Sequence, residues 1–206
     1  MSLSDSLEEK VANFIASGGM ERRTELCEIM SSNGSDKSST WHNYTPIYHL
    51  MFSDLRSTIE SFFELGIYQG CSVRGWAHYF PNIEILAGDV EKNFLVNESN
   101  IRSFICDQDS SDSIRQMWSL IDRQFDVIIE DGKHEFDSNL NFLSNSIHKV
   151  KEGGIFIIED LTNSTKERFR QILDQLKTSL NLSEAFILEI QNPNNNIDNC
   201  LLIIRK

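Results

Sequence analysis

The sequence predicts an α/β three-layer sandwich on a seven-stranded, mostly parallel sheet that closes with a C-terminal antiparallel strand pair. Three observations carry this expectation. From Ser61 onward, apolar runs of strand length alternate with amphipathic runs of helix length, as in a parallel sheet covered on both faces. Successive strands run into acids at their C-terminal ends. The last two strands are joined only by Asn192-Pro193-Asn194-Asn195-Asn196-Ile197-Asp198-Asn199, too short for a helical crossover, so they pair antiparallel.

The elements follow in order. Helical spacing of Leu7, Val11, Phe14 and Ile15 predicts a helical region from Leu3 to about Met30, broken at Gly18-Gly19, with its second helix over Glu21–Met30. The polar stretch Gly34–Asn43 reads as a loop or lid, and Tyr44-Thr45-Pro46 introduces a helix carrying Tyr48, Leu50, Met51 and Phe52. Strands are expected at Ser61–Leu65, Glu84–Ala87, Ile101–Cys106, Phe125–Glu130, Gly154–Glu159, Ala185–Ile190 and Cys200–Arg205. The helices between them centre on Val73–Phe80, Asp112–Asp122, Phe136–Val150 and Lys166–Leu180.

Composition sets bounds. A chain of 206 residues suits one domain with a small N-terminal addition, and 40% hydrophobic with 24% charged residues describes an ordinary soluble protein. Apolar runs are strand-sized, and the polar opening Met1-Ser2-Leu3-Ser4-Asp5 has no signal core, so neither membrane span nor export leader is expected. Cys27, Cys71, Cys106 and Cys200 are scattered, which argues against zinc or a disulfide framework and for a reducing cytoplasm. A net charge of −12 opposes a large nucleic-acid footprint.

Chemistry concentrates at the strand ends. Phe125–Glu130 runs into Asp131-Gly132-Lys133-His134, and Gly154–Ile158 into Glu159-Asp160. One helix-length segment separates them, so the two strands form a right-handed βαβ unit and lie roughly 4.8 Å apart as neighbours. Asp131, Glu159 and Asp160 then crowd around one point, where they repel unless a cation holds them. This predicts a hard-metal site with His134 beside it as base. Earlier, Glu64-Leu65-Gly66-Ile67-Tyr68-Gln69-Gly70-Cys71-Ser72 places glycines at a strand-to-helix turn, with Ser72 in the first turn of the helix. Glu64 would repel a pyrophosphate but suits a cationic ligand, which opposes a dinucleotide site and an NAD-dependent oxidoreductase. Asp89 ends the second strand, where acids bind ribose hydroxyls, and Asp107-Gln108 after the third could address a purine edge. His42, His49, His78 and His148 have no acidic context and read as structural, while Trp41, Tyr44 and Tyr48 suit an aromatic lid or plain packing.

In this order, Glu64-x-Gly66-x-x-x-Gly70, Asp89, Asp107, Asp131 and a closing antiparallel pair resemble the class I S-adenosylmethionine-dependent methyltransferases, whose fold is Rossmann-like. More narrowly, the chain resembles the metal-dependent O-methyltransferases of macrolide sugars. Their D-D-G-S-H and I-E-D segments correspond to Glu130-Asp131-Gly132-Lys133-His134 and Ile158-Glu159-Asp160. Their T-D-K and H-x-Y-T-P-x-Y segments correspond to Ser35-Asp36-Lys37 and His42-Asn43-Tyr44-Thr45-Pro46-Ile47-Tyr48, and G-D-Q to Cys106-Asp107-Gln108. Glu130 and Lys133 depart from the pattern, and Lys133 is similar to the lysine of catechol-type enzymes.

The resemblance implies that magnesium binds Asp131, Glu159 and Asp160, that His134 is the general base, and that Glu64, Gly66, Gly70, Ser72, Asp89, Asp107 and Gln108 serve S-adenosylmethionine. The expected organisation is a helical segment and lid over residues 1–58 and a cofactor-binding methyltransferase domain over 59–206. The expected activity is magnesium-dependent O-methylation of a small hydroxylated acceptor such as a sugar moiety, with no nucleic-acid or membrane partner and an oligomeric state, homo-oligomer included, left open. A catechol-type phenol O-methyltransferase and a non-catalytic S-adenosylmethionine-binding protein are the alternatives.

Overall fold

Alternating side chains of the apolar runs serve two helical layers at once, and this places the strands between them. In the computed structural model, which describes residues 6–206, seven strands form one sheet in the order β3-β2-β1-β4-β5-β7-β6. They are β1 (Phe62–Leu65), β2 (Ile85–Asp89), β3 (Ile101–Ile105), β4 (Phe125–Glu130), β5 (Val150–Ile158), β6 (Glu184–Glu189) and β7 (Cys200–Arg205). All neighbours from β3 to β5 are parallel, and β7 is antiparallel to both β5 and β6. The predicted fold class is the observed one. The sheet order reverses beside β1, the position where open α/β sheets bind ligands at the strand C-termini.

Phe62, Ile85, Val127, Ile129, Ile157 and Ile203 face one layer, formed by α1 (Leu7–Ala16), α2 (Glu25–Ser32), α3 (Thr45–Phe52) and α4 (Cys71–Tyr79). Their neighbours Phe63, Leu86, Ile128, Phe156, Ile158 and Ile204 face α5 (Ser111–Ser119), α6 (Phe136–Ser146) and α7 (Asn163–Ser179). Leu3, the expected start of the first helix, lies outside the described residues. The helix begins at Leu7 because Ser6 and Glu9 form a reciprocal capping box. Glu184 of β6 also accepts the free N–H groups of Leu7 (2.7 Å) and Glu8 (3.3 Å), docking α1 on the sheet edge. The second helix starts at Glu25, later than its pattern suggests, because Thr24 caps it and Gly19–Glu21 forms a separate short turn. β5 starts earlier than expected, at Val150, which pairs with Phe125 ahead of a register shift. No helix among the described residues is long and apolar enough to cross a membrane.

Register fixes the site. Leu65 pairs with Glu130 and Glu130 with Ile158, so β1, β4 and β5 end level with one another. At the opposite end, Asp126 Oδ2 accepts from the backbone N–H groups of Glu60 (2.9 Å) and Ser61 (3.0 Å) and from Lys151 Nζ (3.0 Å). Burial raises its pKa, but these donors outweigh it and hold the carboxyl below the ordinary aspartate value. Its contribution to stability is therefore present at neutral pH and lost as pH falls below about 4. Asp126→Ala should cost about 1–3 kcal/mol in urea unfolding, with the difference from wild type shrinking in acid.

Candidate active site

A cavity of about 830 Å³ opens at the C-terminal edge of the parallel strands, within the range of sites for small molecules. Gly66, Ser72, Asp89, Asp107, Gln108, Asp131, His134 and Asp160 line it, so most of the residues singled out from the sequence border one cavity. Glu64, Gly70 and Glu159 stand outside that lining.

At the end of β1, Gly66 has φ +89°, and a Cβ there would lie 1.9 Å from the carbonyl oxygen of Asp131. Its glycine thus lets the β1 and β4 turns touch, a backbone approach made by the protein itself. Asp89 secures the same turn. Its Oδ2 accepts from the N–H groups of Ile67 (2.7 Å) and Tyr68 (3.1 Å), and Oδ1 from that of Glu91 (2.8 Å). With about four acceptor positions on a carboxylate, this leaves little beyond one for a ligand. Asp107 is half-buried, whereas Gln108 is turned inward. The Gln108 amide donates to Glu130 Oε1 (3.0 Å) and accepts from the N–H of Lys133 (2.7 Å), bracing the loop that carries Asp131 and His134. Ser72 donates to Glu64 Oε2 (3.1 Å) from the first turn of α4.

The acids converge as follows. One ligand atom each from Asp131, His134 and Asp160 lies within 4.8 Å of the others. His134 Nε2 is 3.2 Å from Asp131 Oδ1 and 3.7 Å from Asp160 Oδ2. Glu159 points elsewhere. Its Oε1 accepts from Tyr48 Oη (2.5 Å) and its Oε2 from Lys37 Nζ (2.5 Å), and it is 1% exposed. Strand alternation explains the divergence, since Glu159 continues the face of Ile157, under the α1–α4 layer. Glu64 continues the face of Phe62 in the same way, and its Oε1 is 3.2 Å from Lys37 Nζ.

Lys37 has no role assigned from the sequence, Tyr44 and Tyr48 read there as a lid or plain packing, and His42 reads as lacking acidic context, which its approach to Asp160 corrects. Lys37, Tyr44, Tyr48 and His42 belong to a single loop-and-helix segment that folds under the acids. Tyr44 Oη donates to Asp160 Oδ1 (2.7 Å), and His42 Nδ1 lies 3.4 Å from that same oxygen. Both tyrosines are fully buried, so they floor the site and form no lid; Trp41 is exposed. Asn195 (3.0 Å) and Asn199 (3.2 Å) of the β6–β7 loop contact His42 Nδ1, and Asn192 holds the carbonyl of Trp41. The histidine next to the T-P-x-Y run was the available signal, because a polar tip on an otherwise aromatic segment needs a partner when buried.

Electrostatics report an excess of acid. Burial and the charge of Asp131 push Asp160 up to about 7, and burial outweighs Lys37 in raising Glu159 well above the ordinary value. Burial likewise takes Glu130 to about 7. Burial would depress His134, but its hydrogen bond to Asp131 and the surrounding charge carry it to about 9. Burial also opposes the charge on Asp131, yet Lys37 and His134 bring that carboxyl down to about 2. Tyr68 (φ 46°), His134 (φ 59°) and Asp160 (φ 57°) all hold left-handed backbone at the cavity, costing roughly 1–3 kcal/mol each, as residues of working sites often do.

No protein-family model matches the chain. It is 28% identical over 159 residues to 8-demethyl-8-(2-methoxy-alpha-L-rhamnosyl)-tetracenomycin-C 3'-O-methyltransferase of Streptomyces olivaceus, covering 74% of this chain and 40% of that protein. It is 27% identical over 188 residues to mycinamicin VI 2''-O-methyltransferase of Micromonospora griseorubida, covering 86% of this chain and 47% of that one. The solved structure of the MycE methyltransferase in complex with Mg, SAH and mycinamycin VI superposes with a TM-score of 0.73 at 20% identity, over 99% of this chain and 62% of the other. The chain is similar in sequence to these sugar O-methyltransferases and shares the class I methyltransferase fold. Its sheet and closing antiparallel strand are those of this methyltransferase fold, and it spans about half the length of the curated relatives it matches.

Proposed function

We propose that the chain transfers a methyl group from S-adenosylmethionine to a hydroxyl of a small molecule, a sugar hydroxyl being the favoured class, with magnesium at Asp131 and Asp160. The observation that carries the reading is the meeting of Asp131, His134 and Asp160 within 4.8 Å on the wall of the same cavity that Gly66 and Asp89 line. The donor set fits a hard divalent ion, because Asp131 Oδ1 and Asp160 Oδ2 face each other across an imidazole amid surplus negative charge. Glu159, expected from the sequence as a third ligand, has both oxygens taken by Tyr48 and Lys37 and stays outside this donor set, supporting it from behind through Lys37. Bound there, the cation would make the acceptor hydroxyl more acidic, which matters because an aliphatic hydroxyl has a pKa near the roughly 15.7 of water. The residues of this chain supply the rest. The Gly66 turn would take the amino-acid part of the donor, with Ser72 lining the cavity beside it and Gly70 and Glu64 supporting the turn from behind. Asp89 takes the ribose, and Asp107 takes the adenine with Gln108 supporting the wall. His134 Nε2 accepts the hydroxyl proton as the oxygen bonds to the methyl carbon. The carbon–sulfur bond breaks, its electron pair stays on sulfur, and S-adenosylhomocysteine leaves. We further assign residues 59–206 to cofactor binding and chemistry, and residues 1–58 to closing the site from below.

A second reading makes His134 a metal ligand, which the compactness of the three-residue set favours. The test of the proposed activity is methyl transfer from labelled S-adenosylmethionine to a panel of glycosides and catechols. Turnover should vanish with chelator and return with magnesium, and glycosides should outpace catechols. Calorimetry supplies a second check. Asp89→Ala should weaken S-adenosylmethionine binding by about 1.5–3 kcal/mol, from the lost ribose contact and the loosened turn. Unchanged affinity would remove Asp89 from the cofactor site.

A further inference from the structure

Lys37 stands where a metal ion could stand. Its ammonium is 1% exposed and meets three carboxylate oxygens, Asp131 Oδ2 and Glu159 Oε2 at 2.5 Å and Glu64 Oε1 at 3.2 Å. Its backbone is anchored, since the Lys37 carbonyl accepts from the N–H groups of Tyr44 (2.9 Å) and Thr45 (3.3 Å). Asp131 serves two sides at once. Its Oδ2 faces the ammonium, while its Oδ1 faces His134 and the open side of the cluster. That is the arrangement of a bridging carboxylate in a two-metal site, where the ions lie roughly 3.5–4 Å apart. Three carboxylates (Glu64, Asp131 and Glu159) thus share one fixed cation, while Asp160 faces His134 instead.

We propose that Lys37 is a positioning residue that acts as a built-in cation, filling the place of a second metal ion and restricting the acid cluster to one divalent ion. This rests on the magnesium reading given above. Removing the ammonium leaves Glu64, Glu159 and one oxygen of Asp131 buried without a counter-charge, a state that protonation or a new cation must relieve. The ammonium also occupies Oδ2 of Asp131, which would leave Oδ1, on the His134 side, as the oxygen offered to a cation.

Counting bound manganese tests this by electron paramagnetic resonance on the whole chain, for wild type, Lys37→Met and the smaller, polar Lys37→Gln. Wild type should bind one ion and each variant two. The melting temperature of the variants should also depend strongly on manganese, and that of wild type weakly. One ion in all three proteins, with equal affinity, would overturn the role of Lys37 and leave the magnesium reading intact. No ion in any of them would overturn both. If neither variant folds even in excess manganese, a metal cannot replace the ammonium and the proposal is overturned.

Discussion

His134→Ala should lower kcat by about 100–10,000-fold while S-adenosylmethionine affinity stays nearly unchanged, because the loss falls on proton removal. The imidazole accepts a proton only when neutral, so the rate should climb with pH through the histidine titration. The carboxylates around it hold that titration up at about 9, and a dication at Asp131 and Asp160 opposes them by adding positive charge. Raising magnesium should therefore move the rising limb to lower pH, and the alanine variant should lack that limb. By the same linkage, protons compete with the cation, so metal affinity should weaken as pH falls. Metal affinity of the variant separates the two roles: unchanged affinity fits a base, and a fall of about 10-fold or more fits a ligand.

Gly66→Ala should be severely destabilising. Its Cβ would lie 1.9 Å from a backbone oxygen and 2.5 Å from the adjoining carbonyl carbon of Asp131, and neither can move without dragging β4. The φ of +89° adds conformational strain. A loss of at least about 3 kcal/mol is expected in chemical unfolding, with any folded fraction binding S-adenosylmethionine poorly. Near-wild-type stability would mean that the two turns do not meet as described.

Much of this was legible because it depends on local periodicity. Alternation of apolar runs placed the strands, and an acid just past a parallel strand lands on the ligand edge wherever its side chain points. Direction is what local pattern hid. Glu159 and Asp160 are adjacent, yet the two-residue period sends Glu159 under the sheet to Lys37 and Tyr48 while Asp160 turns out in a left-handed conformation. Glu130 shows the same effect. It continues the face of Ile128 and is braced by Gln108, so the Glu130-Asp131 pair supplies one structural and one chemical acid. Lys37 was unreadable as a counter-ion because its partners lie 94 and 122 residues away, and nothing in a polar loop announces that it folds inward. Tyr44 and Tyr48, at the start of a helix, suit an aromatic lid or plain packing by pattern alone; only their hydroxyl partners reveal the floor of the site.

The central claim is that a divalent cation sits beside the transferable methyl group in one cavity. Binding of S-adenosylmethionine carrying a ¹³C-labelled methyl, followed by nuclear magnetic resonance as manganese is added, tests it without any knowledge of the acceptor. The account predicts strong paramagnetic broadening of the methyl resonance in wild type, lost in Asp131→Asn and Asp160→Asn although the donor still binds. A bound donor whose methyl resonance stays sharp in saturating manganese would contradict it.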